Sequence, residues 1–126
     1  MYHPFADLIG LTVDFPVKEY SHCSIEVTEK LLNPHKVVHG AVLYALADTG
    51  MGAAVYPHLK PDELCATIEI KITYFKPVFD GEIICITKII NKGKTIVNLE
   101  AEIFNKERLV AKANGNFSIF KKRKLS

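Results

Sequence analysis

Long hydrophobic runs are missing from this sequence. The longest apolar-rich stretch, residues 41–56, is interrupted by Asp48 and is too short to span a bilayer as a helix. Residues 1–4 lack the basic start and the apolar run of a signal peptide. We therefore expect a cytoplasmic protein with no membrane partner.

An excess of one charge is also missing from the body of the chain. The formal net charge is only +2, and much of that excess lies in residues 121–124. Proteins that bind nucleic acid usually carry a basic face, so no nucleic-acid partner is expected. We predict that residues 121–126 form a frayed basic tail.

Cysteine is scarce, and the three residues lie far apart in strand-like apolar segments: Cys23, Cys65 and Cys85. An odd number of separated cysteines does not form a disulfide framework, so we predict buried free thiols. His35 and His39 have the i, i+4 spacing that suits zinc on a helix, but Pro34 predicts a loop there. Since no third ligand follows at a suitable spacing, no metal site is predicted.

The remaining composition is that of one folded domain. The 126 residues, 48% of them hydrophobic and 24% charged, leave room for a single core, and we predict one domain over residues 1–126. Hydrophobic periodicity predicts a short helix over 3–9, a loop over 31–38, one long helix over 39–56, and strands over 11–17, 21–28, 67–75, 82–90, 95–104 and 109–120. One long helix with five or six antiparallel strands is an α+β pattern, in which the sheet wraps around the helix to bury both.

The strand that begins at Thr67 alternates between apolar and polar residues. Its apolar face carries Ile68, Ile70, Ile72 and Tyr74. Thr67 falls on the opposite face, because successive strand residues point to opposite sides of a sheet.

The long helix has no polar face, which predicts burial on all sides. Its glycines, Gly50 and Gly52, suit close approach to a backbone. Asp48 is its only charge, and no Lys or Arg lies within one turn of it. A buried carboxylate without a partner is strongly unfavourable unless its pKa rises or it faces a polar cleft. Asp48 is therefore solvated at an exposed edge, bonded to Thr49 or to a neighbouring subunit, or the centre of a reaction.

The start of this helix offers a second chemical group. First-turn amides have no partner within a helix, and with the helix dipole they form an oxyanion site. Gly40 has no Cβ, so a substrate can approach its N–H. Asp48 lies nine residues after His39, about 13 Å along the axis. Because groups that far apart do not reach the same atom, we predict a site in which a partner subunit brings its Asp48 beside Gly40.

The order and spacing of these residues resemble a known family. The pattern is Asn33-x5-His39-Gly40-Ala41-x6-Asp48, followed by Thr67–Pro77 and Gly81. The final segment, residues 109–117, completes a resemblance that covers residues 5–120. The chain is similar to the hotdog-fold thioesterases of the phenylacetic-acid-degradation type.

This resemblance implies an acyl-CoA thioesterase with no cofactor, coenzyme A being part of the substrate. It implies that Asp48 acts as general base or nucleophile, and that the N–H of Gly40, which follows His39, polarises the thioester carbonyl. It also implies that Asn33 lies near the thioester and that Thr67 holds the attacking water. The family forms homodimers with two active sites at the interface, and these usually pair into homotetramers.

Two more residues are candidate substrate contacts. Lys94 belongs either to a solvated hairpin turn or to a group of cations that binds the phosphates of coenzyme A. Tyr74 is either a core residue or, at the position that the resemblance indicates, a ligand contact. Where the family has a second glycine after its histidine, this chain has Ala41, and we expect the N–H of Ala41 to remain free.

Two alternatives to acyl-CoA hydrolysis follow from the same pattern. A non-catalytic hotdog module would bind acyl-CoA as a sensor, although the sequence shows no effector segment. A hotdog dehydratase would act on hydroxyacyl thioesters, although the chain lacks a recognisable hydratase signature. The acyl group itself is not predicted, because Ile, Leu, Val and Phe line pockets for alkyl and aryl groups equally.

Overall fold

The computed structural model of the protein describes residues 3–17 and 20–123. Two α-helices and six β-strands are present in this part of the chain: α1 (Pro4–Ile9), β1 (Leu11–Val17), β2 (Tyr20–Glu26), α2 (Gly40–Val55), β3 (Glu63–Tyr74), β4 (Glu82–Lys92), β5 (Ile96–Asn105) and β6 (Arg108–Lys121). Neither helix has the length and apolar character needed to cross a membrane. The predicted elements all form, and β3 begins four residues earlier than expected.

The six strands form one antiparallel sheet in the order β1-β2-β4-β5-β6-β3. The sheet curls around α2, which contacts all six strands. The predicted α+β architecture is therefore confirmed. In this order β1 and β3 are the two edge strands, and each has one side without a strand neighbour among the described residues.

The core lies between α2 and the inner face of the sheet. On β5, Val97, Leu99, Ala101 and Ile103 are at most 2% exposed, as the alternation predicts. Gly50 brings α2 close to β4, since a Cβ on Gly50 would lie 2.7 Å from the Thr87 hydroxyl oxygen. Gly50 is thus closely packed, but the prediction of close approach to a backbone is wrong for it, because the neighbouring atoms belong to side chains.

One face of α2 is not covered by the sheet. Ala41, Tyr44 and Tyr56 are exposed and Asp48 and Gly52 are half-buried, at the three- and four-residue spacing of a single helix face. We call these five residues the open face of α2. The prediction that this helix is buried on all sides is therefore wrong for the chain by itself, because the sheet wraps only part of the helix circumference. An apolar face left uncovered typically marks a contact surface.

A β-bulge in β3 changes which side chains face the helix. Thr67 pairs with Phe117 and Glu69 pairs with Asn116, so Ile68 is the extra residue of the bulge. Ile68 is 53% exposed. The prediction that its side chain shares the apolar face with Ile70 and Ile72 is therefore wrong. The inserted residue reverses the alternation, so that Thr67 and Ile70, three positions apart, both point toward α2. Without the bulge these two side chains would lie on opposite faces of the sheet.

The end of β6 is more ordered than the predicted basic tail. Lys121 is part of β6 and pairs with Glu63, and the N–H of Lys122 donates to the carbonyl of Asp62 at 2.8 Å. The tail prediction is wrong for these two residues, because the early start of β3 gives them a strand partner. Residues 124–126 lie outside the described part of the chain.

Two of the three cysteines are buried as predicted. Cys23 and Cys85 are fully buried and lie opposite each other on β2 and β4. Burial raises the pKa of each thiol to about 12, with a smaller contribution from Cys85 to the shift of Cys23. These two thiols are therefore protonated at neutral pH. Cys65 is only half-buried, and its surroundings belong to the site described next.

Candidate active site

Asp48 and Thr67 form a hydrogen-bonded pair between α2 and β3. The Thr67 hydroxyl donates to Oδ1 of Asp48 at 2.6 Å. The bulge at Ile68 makes this contact possible, since it turns Thr67 toward the helix. Within residues 3–17 and 20–123, no Lys, Arg or His forms an ion pair with Asp48. The carboxylate is thus held by a neutral donor on one oxygen, and its second oxygen is left for another partner.

Both residues open into a cleft of about 660 Å³. Its floor includes the small residues Ala45, Gly52 and Ala53 of α2, and its walls include the rings of Phe5, Tyr56 and Phe117. A wide, mostly apolar cleft with one carboxylate and one hydroxyl is suited to an organic group with a reactive polar end. Sequence reasoning missed the aromatic walls, because apolar side chains of α1 and β6 carry no local signal that separates a cleft wall from a core.

Cys65 lines the same cleft, which corrects the prediction that it is buried like Cys23 and Cys85. β3 starts earlier than predicted and is an edge strand, so this thiol has fewer covering neighbours. Partial burial raises the pKa of Cys65, and the negative charge of Asp48 raises it further. The thiol is therefore a probe of the charge on Asp48.

Asp48→Asn is expected to lower the pKa of Cys65, because the substitution removes the negative charge that disfavours the thiolate. Alkylation of Cys65 by iodoacetamide, followed by mass spectrometry across a pH series, should show the midpoint of the rate profile moving to lower pH. Cys65→Ser identifies the signal by removing it. An unmoved midpoint would show that the two side chains are not in electrostatic contact.

A second group of residues lies at the start of α2. His39 is the N-cap, and its Nδ1 accepts the N–H of Ala41 at 2.9 Å. The expectation that the N–H of Ala41 is free is therefore wrong, because a histidine ring at the N-cap can reach that amide. The N–H of Gly40 has no acceptor among the described residues. It is the amide that remains available for an oxyanion.

Tyr74 contacts this helix terminus from the end of β3. Its hydroxyl donates to the carbonyl of Gly40 at 2.7 Å. A Cβ on Gly40 would lie 3.1 Å from the Tyr74 hydroxyl oxygen. The glycine therefore makes room for Tyr74, whereas sequence reasoning assigned that space to the substrate. Tyr74 is 47% exposed, so the structure does not support the interpretation as a core residue.

Gly40 and Asp48 lie in separate clefts. Gly40, Leu43 and Tyr74 line a cleft of about 350 Å³ that shares no lining residue with the cleft of Asp48. Asp48 is eight positions after Gly40 in the helix, about 12 Å along the axis. A single chain therefore does not bring the carboxylate and the helix-terminus amide to one atom.

Asn33 and Lys94 lie outside both clefts. The side-chain oxygen of Asn33 accepts the N–H groups of His35 and Val37 at 2.9 and 3.2 Å, which closes the loop before α2. Lys94 is exposed in the turn between β4 and β5. The adjacent Thr95 carbonyl accepts the N–H of Ile119, the strand partner of Cys65. Lys94 is therefore at the same end of the sheet as Cys65, which lines the cleft of Asp48.

The histidines before α2 are not joined by further metal-ligating side chains in the described part of the chain. Across residues 3–17 and 20–123, no group of three His, Cys, Asp or Glu side chains is placed to hold a metal ion. The Nδ1 of His39 is already occupied by the N–H of Ala41.

Three proteins illustrate the relatives of this chain. It is 32% identical over 98 residues to a putative esterase of Archaeoglobus fulgidus, an alignment that spans 76% of this chain and 62% of that protein. It is 26% identical over 119 residues to the 1,4-dihydroxy-2-naphthoyl-CoA hydrolase of Listeria monocytogenes, covering 94% and 97% of the two chains. The conserved protein PA5202 of Pseudomonas aeruginosa has the same fold, with a TM-score of 0.89, 30% identity, and coverage of 95% and 96%.

The match to a protein family is more extensive than any single motif. Residues 35–112 match the thioesterase superfamily. That segment runs from the loop before α2 into β6 and includes Gly40, Asp48, Thr67 and Tyr74. The predicted hotdog fold and the predicted enzyme class, thioester hydrolase, are confirmed at the level of the family. The chain belongs to the thioesterase superfamily.

Proposed function

We propose that the protein hydrolyses acyl-coenzyme A thioesters. The observation that carries this proposal is the pairing of Asp48 with the Thr67 hydroxyl at the mouth of a large apolar cleft, on a helix whose terminal amide, at Gly40, is free. A carboxylate and an oxyanion donor are the two groups that thioester hydrolysis needs. The coenzyme A thioester as substrate class is supported by the name of the Listeria relative.

The complete site is proposed to form between two copies of this chain. β3 is an edge strand of 12 residues, whereas the other edge, β1, has seven residues, a proline and an irregular register. A long edge strand without a neighbour is a template for pairing with another strand. A two-fold axis near the middle of β3 would bring the Thr67 end of this strand beside the end of β3 that carries Tyr74 in the partner subunit. Asp48 of one subunit would then approach the Gly40 amide of the other.

The open face of α2 supports assembly independently of β3. It presents apolar residues around Asp48 that the sheet leaves uncovered. Burying such a face between subunits is favourable at about 25 cal/mol per Å² of apolar surface. A homodimer covers the β3 edge, and we propose that two such dimers pair into a homotetramer.

The mechanism assigns one role to each group. The Gly40 N–H donates to the thioester oxygen as negative charge develops there, an interaction of about 2.7 to 4 kcal/mol when a single donor is removed in other enzymes. In one route Asp48 takes a proton from water, the hydroxide attacks the carbonyl carbon, and collapse of the tetrahedral intermediate releases the thiolate, which takes the proton from Asp48. Thr67 orients the carboxylate and offers its own oxygen to that water.

In the other route Asp48 attacks the carbonyl carbon itself. The thiolate leaves, an acyl–aspartyl anhydride forms, and water then hydrolyses the anhydride. If water attacks the aspartyl carbonyl of the anhydride, one solvent oxygen remains in the carboxylate of Asp48. Solvent oxygen-18 in Asp48 after a single turnover would therefore identify the covalent route, since the general-base route leaves both oxygens of Asp48 unexchanged.

Thiol release from a panel of acyl-CoA thioesters tests the proposed function. Short and long alkyl substrates and aromatic substrates are compared by coupling free thiol to a chromogenic disulfide. Hydrolysis of at least one class at enzymatic rates is expected. Tight binding with no thiol release would favour the sensor, and formation of an enoyl thioester from a hydroxyacyl substrate would favour the dehydratase.

Lys94→Glu is expected to raise KM for acyl-CoA several-fold with little change in kcat. The backbone beside Lys94 lies about two strand spacings, or roughly 10 Å, from that of Cys65. A cation in that region would act on the remote phosphates equally in ground and transition states. Lys30→Glu, an exposed lysine outside both clefts, makes the same charge change and serves as control. An unchanged KM at low salt would mean that Lys94 belongs only to the turn.

A further inference from the structure

The peptide group between Gly40 and Ala41 is held at both of its polar atoms by side chains. Its carbonyl accepts the Tyr74 hydroxyl at 2.7 Å, and its N–H donates to Nδ1 of His39 at 2.9 Å. The next amide toward the N-terminus is the N–H of Gly40, which has no acceptor among the described residues. The orientation of the free amide therefore depends on a neighbouring peptide that two side chains fix.

Tyr74 is itself held firmly by the sheet. It pairs with Ala111 at the end of β3, and the following N–H, of Phe75, donates to the carbonyl of Val110 at 2.8 Å. The hydroxyl also keeps its proton, since partial burial and the neighbouring Tyr44 raise the pKa of Tyr74. The Tyr74 hydroxyl is thus a protonated donor on a hydrogen-bonded strand, and it holds the carbonyl of Gly40 in position.

His39 serves the same peptide from within its own turn. A ring nitrogen that accepts a hydrogen bond carries no proton, so the proton of the neutral ring is on Nε2. In this arrangement the ring is a helix cap, and its accepting nitrogen is occupied. An asparagine side chain could make the same bond, because Asn is among the preferred N-cap residues.

We propose that Tyr74 and His39 are positioning residues that aim the Gly40 N–H at the thioester oxygen. This inference rests on the proposed acyl-CoA hydrolysis. It assigns Tyr74 to the transition-state interaction rather than to substrate binding, and it removes any need for proton transfer by His39. Loss of either side chain leaves the amide in place but lets its direction vary.

Tyr74→Phe is the direct test, because it removes one hydroxyl and keeps the ring against Gly40. We expect kcat for acyl-CoA hydrolysis to fall about 10-fold with KM within about twofold, since a donor that acts in the transition state is misaligned. Tyr20→Phe removes a hydroxyl from an exposed tyrosine of β2 that lines neither cleft, and it should behave like the wild type. Circular dichroism at the assay temperature confirms that each variant is folded.

A pair of substitutions at His39 provides the second measurement. His39→Ala removes the cap and should lower kcat in the same way, whereas His39→Asn restores an acceptor for the Ala41 N–H and should recover most of kcat. A purely structural loss would appear in the melting temperature without this recovery pattern in kcat. An acid–base role for His39 would leave the asparagine variant as inactive as the alanine variant, and that result would overturn the inference.

The remaining outcomes separate the inference from the proposed function. If the wild type hydrolyses acyl-CoA and Tyr74→Phe has the same kcat, the positioning role is wrong and the proposed function stands. If Tyr74→Phe raises KM and leaves kcat unchanged, Tyr74 contacts the substrate directly and the positioning role is again wrong. A wild-type protein that releases no thiol from any acyl-CoA overturns both.

Discussion

Asp48→Ala is expected to lower kcat for acyl-CoA hydrolysis by at least about 10²-fold, the lower end of the contribution of a general base. The substitution removes the carboxylate that Thr67 holds at the cleft and leaves the Gly40 amide untouched. Thiol release from the best substrate of the panel measures the loss. Asp62→Ala, an exposed aspartate outside both clefts, is the matched control and should retain full activity.

The same substitution is expected to leave the melting temperature unchanged or higher. Asp48 is half-buried without an ion-pair partner among the described residues, and alanine is the best helix former. The Thr67 hydroxyl loses an acceptor but is exposed, so water can replace it. Low activity with undiminished stability would mark a residue kept for chemistry. Unfolding or loss of assembly would instead show that Asp48 has a structural role. Full activity of the variant would show that the catalytic site lies elsewhere in the protein.

Mixing the inactive variants Gly40→Ala and Asp48→Ala is expected to restore acyl-CoA hydrolysis. In Gly40→Ala the new Cβ crowds the Tyr74 hydroxyl and disturbs the amide, whereas Asp48→Ala lacks the carboxylate. A mixed dimer contains one site with both groups intact and one site with neither. If subunits exchange at random in an equal mixture, about a quarter of wild-type activity should return, because half of the dimers are mixed and each has one working site.

The mixing experiment compares the two variants alone, after co-refolding, and after co-expression with different affinity tags. A chain carrying both substitutions, mixed with either single variant, is the control, because it cannot complete a site in any combination. Native mass spectrometry establishes that mixed oligomers are present. Mixed oligomers without recovered activity would show that both groups act within one chain, and an active monomer would show the same.

The fold could be predicted largely from local patterns. Alternation placed the buried row on β5, including Val97 and Ile103, and the apolar run after His39 predicted α2 almost to the residue. These patterns repeat within a few residues, so neighbouring positions in the sequence are enough to predict which face of an element is buried. The anomaly of Asp48 was visible for the same reason, since a single charge stands out against its neighbours.

The candidate site was only partly predictable. Asp48 was identified as the only charge of its helix and Gly40 by its place at the helix start, whereas Thr67 was identified by the family resemblance. The reasons given for Gly40 and Thr67 changed in the structure. Thr67 bonds directly to Asp48, and Gly40 is small because Tyr74 occupies the adjacent space. Asn33 was predicted near the thioester, and in the structure its side chain closes a loop outside both clefts. Its role at the thioester stays a prediction.

By itself, the sequence determined the element types, the wrapping of a sheet around one helix, and the separation of Gly40 from Asp48 along the helix axis. The tertiary structure alone decided which side chains meet across long sequence separations. One inserted residue at Ile68 turns Thr67 toward Asp48, and the length of β3 brings Tyr74 to Gly40 from 34 residues away. The open face of α2 was also decided by the tertiary structure. The apolar sequence of the helix predicts that its surface is buried, but only the arrangement of the strands shows which side of the helix the chain itself leaves uncovered.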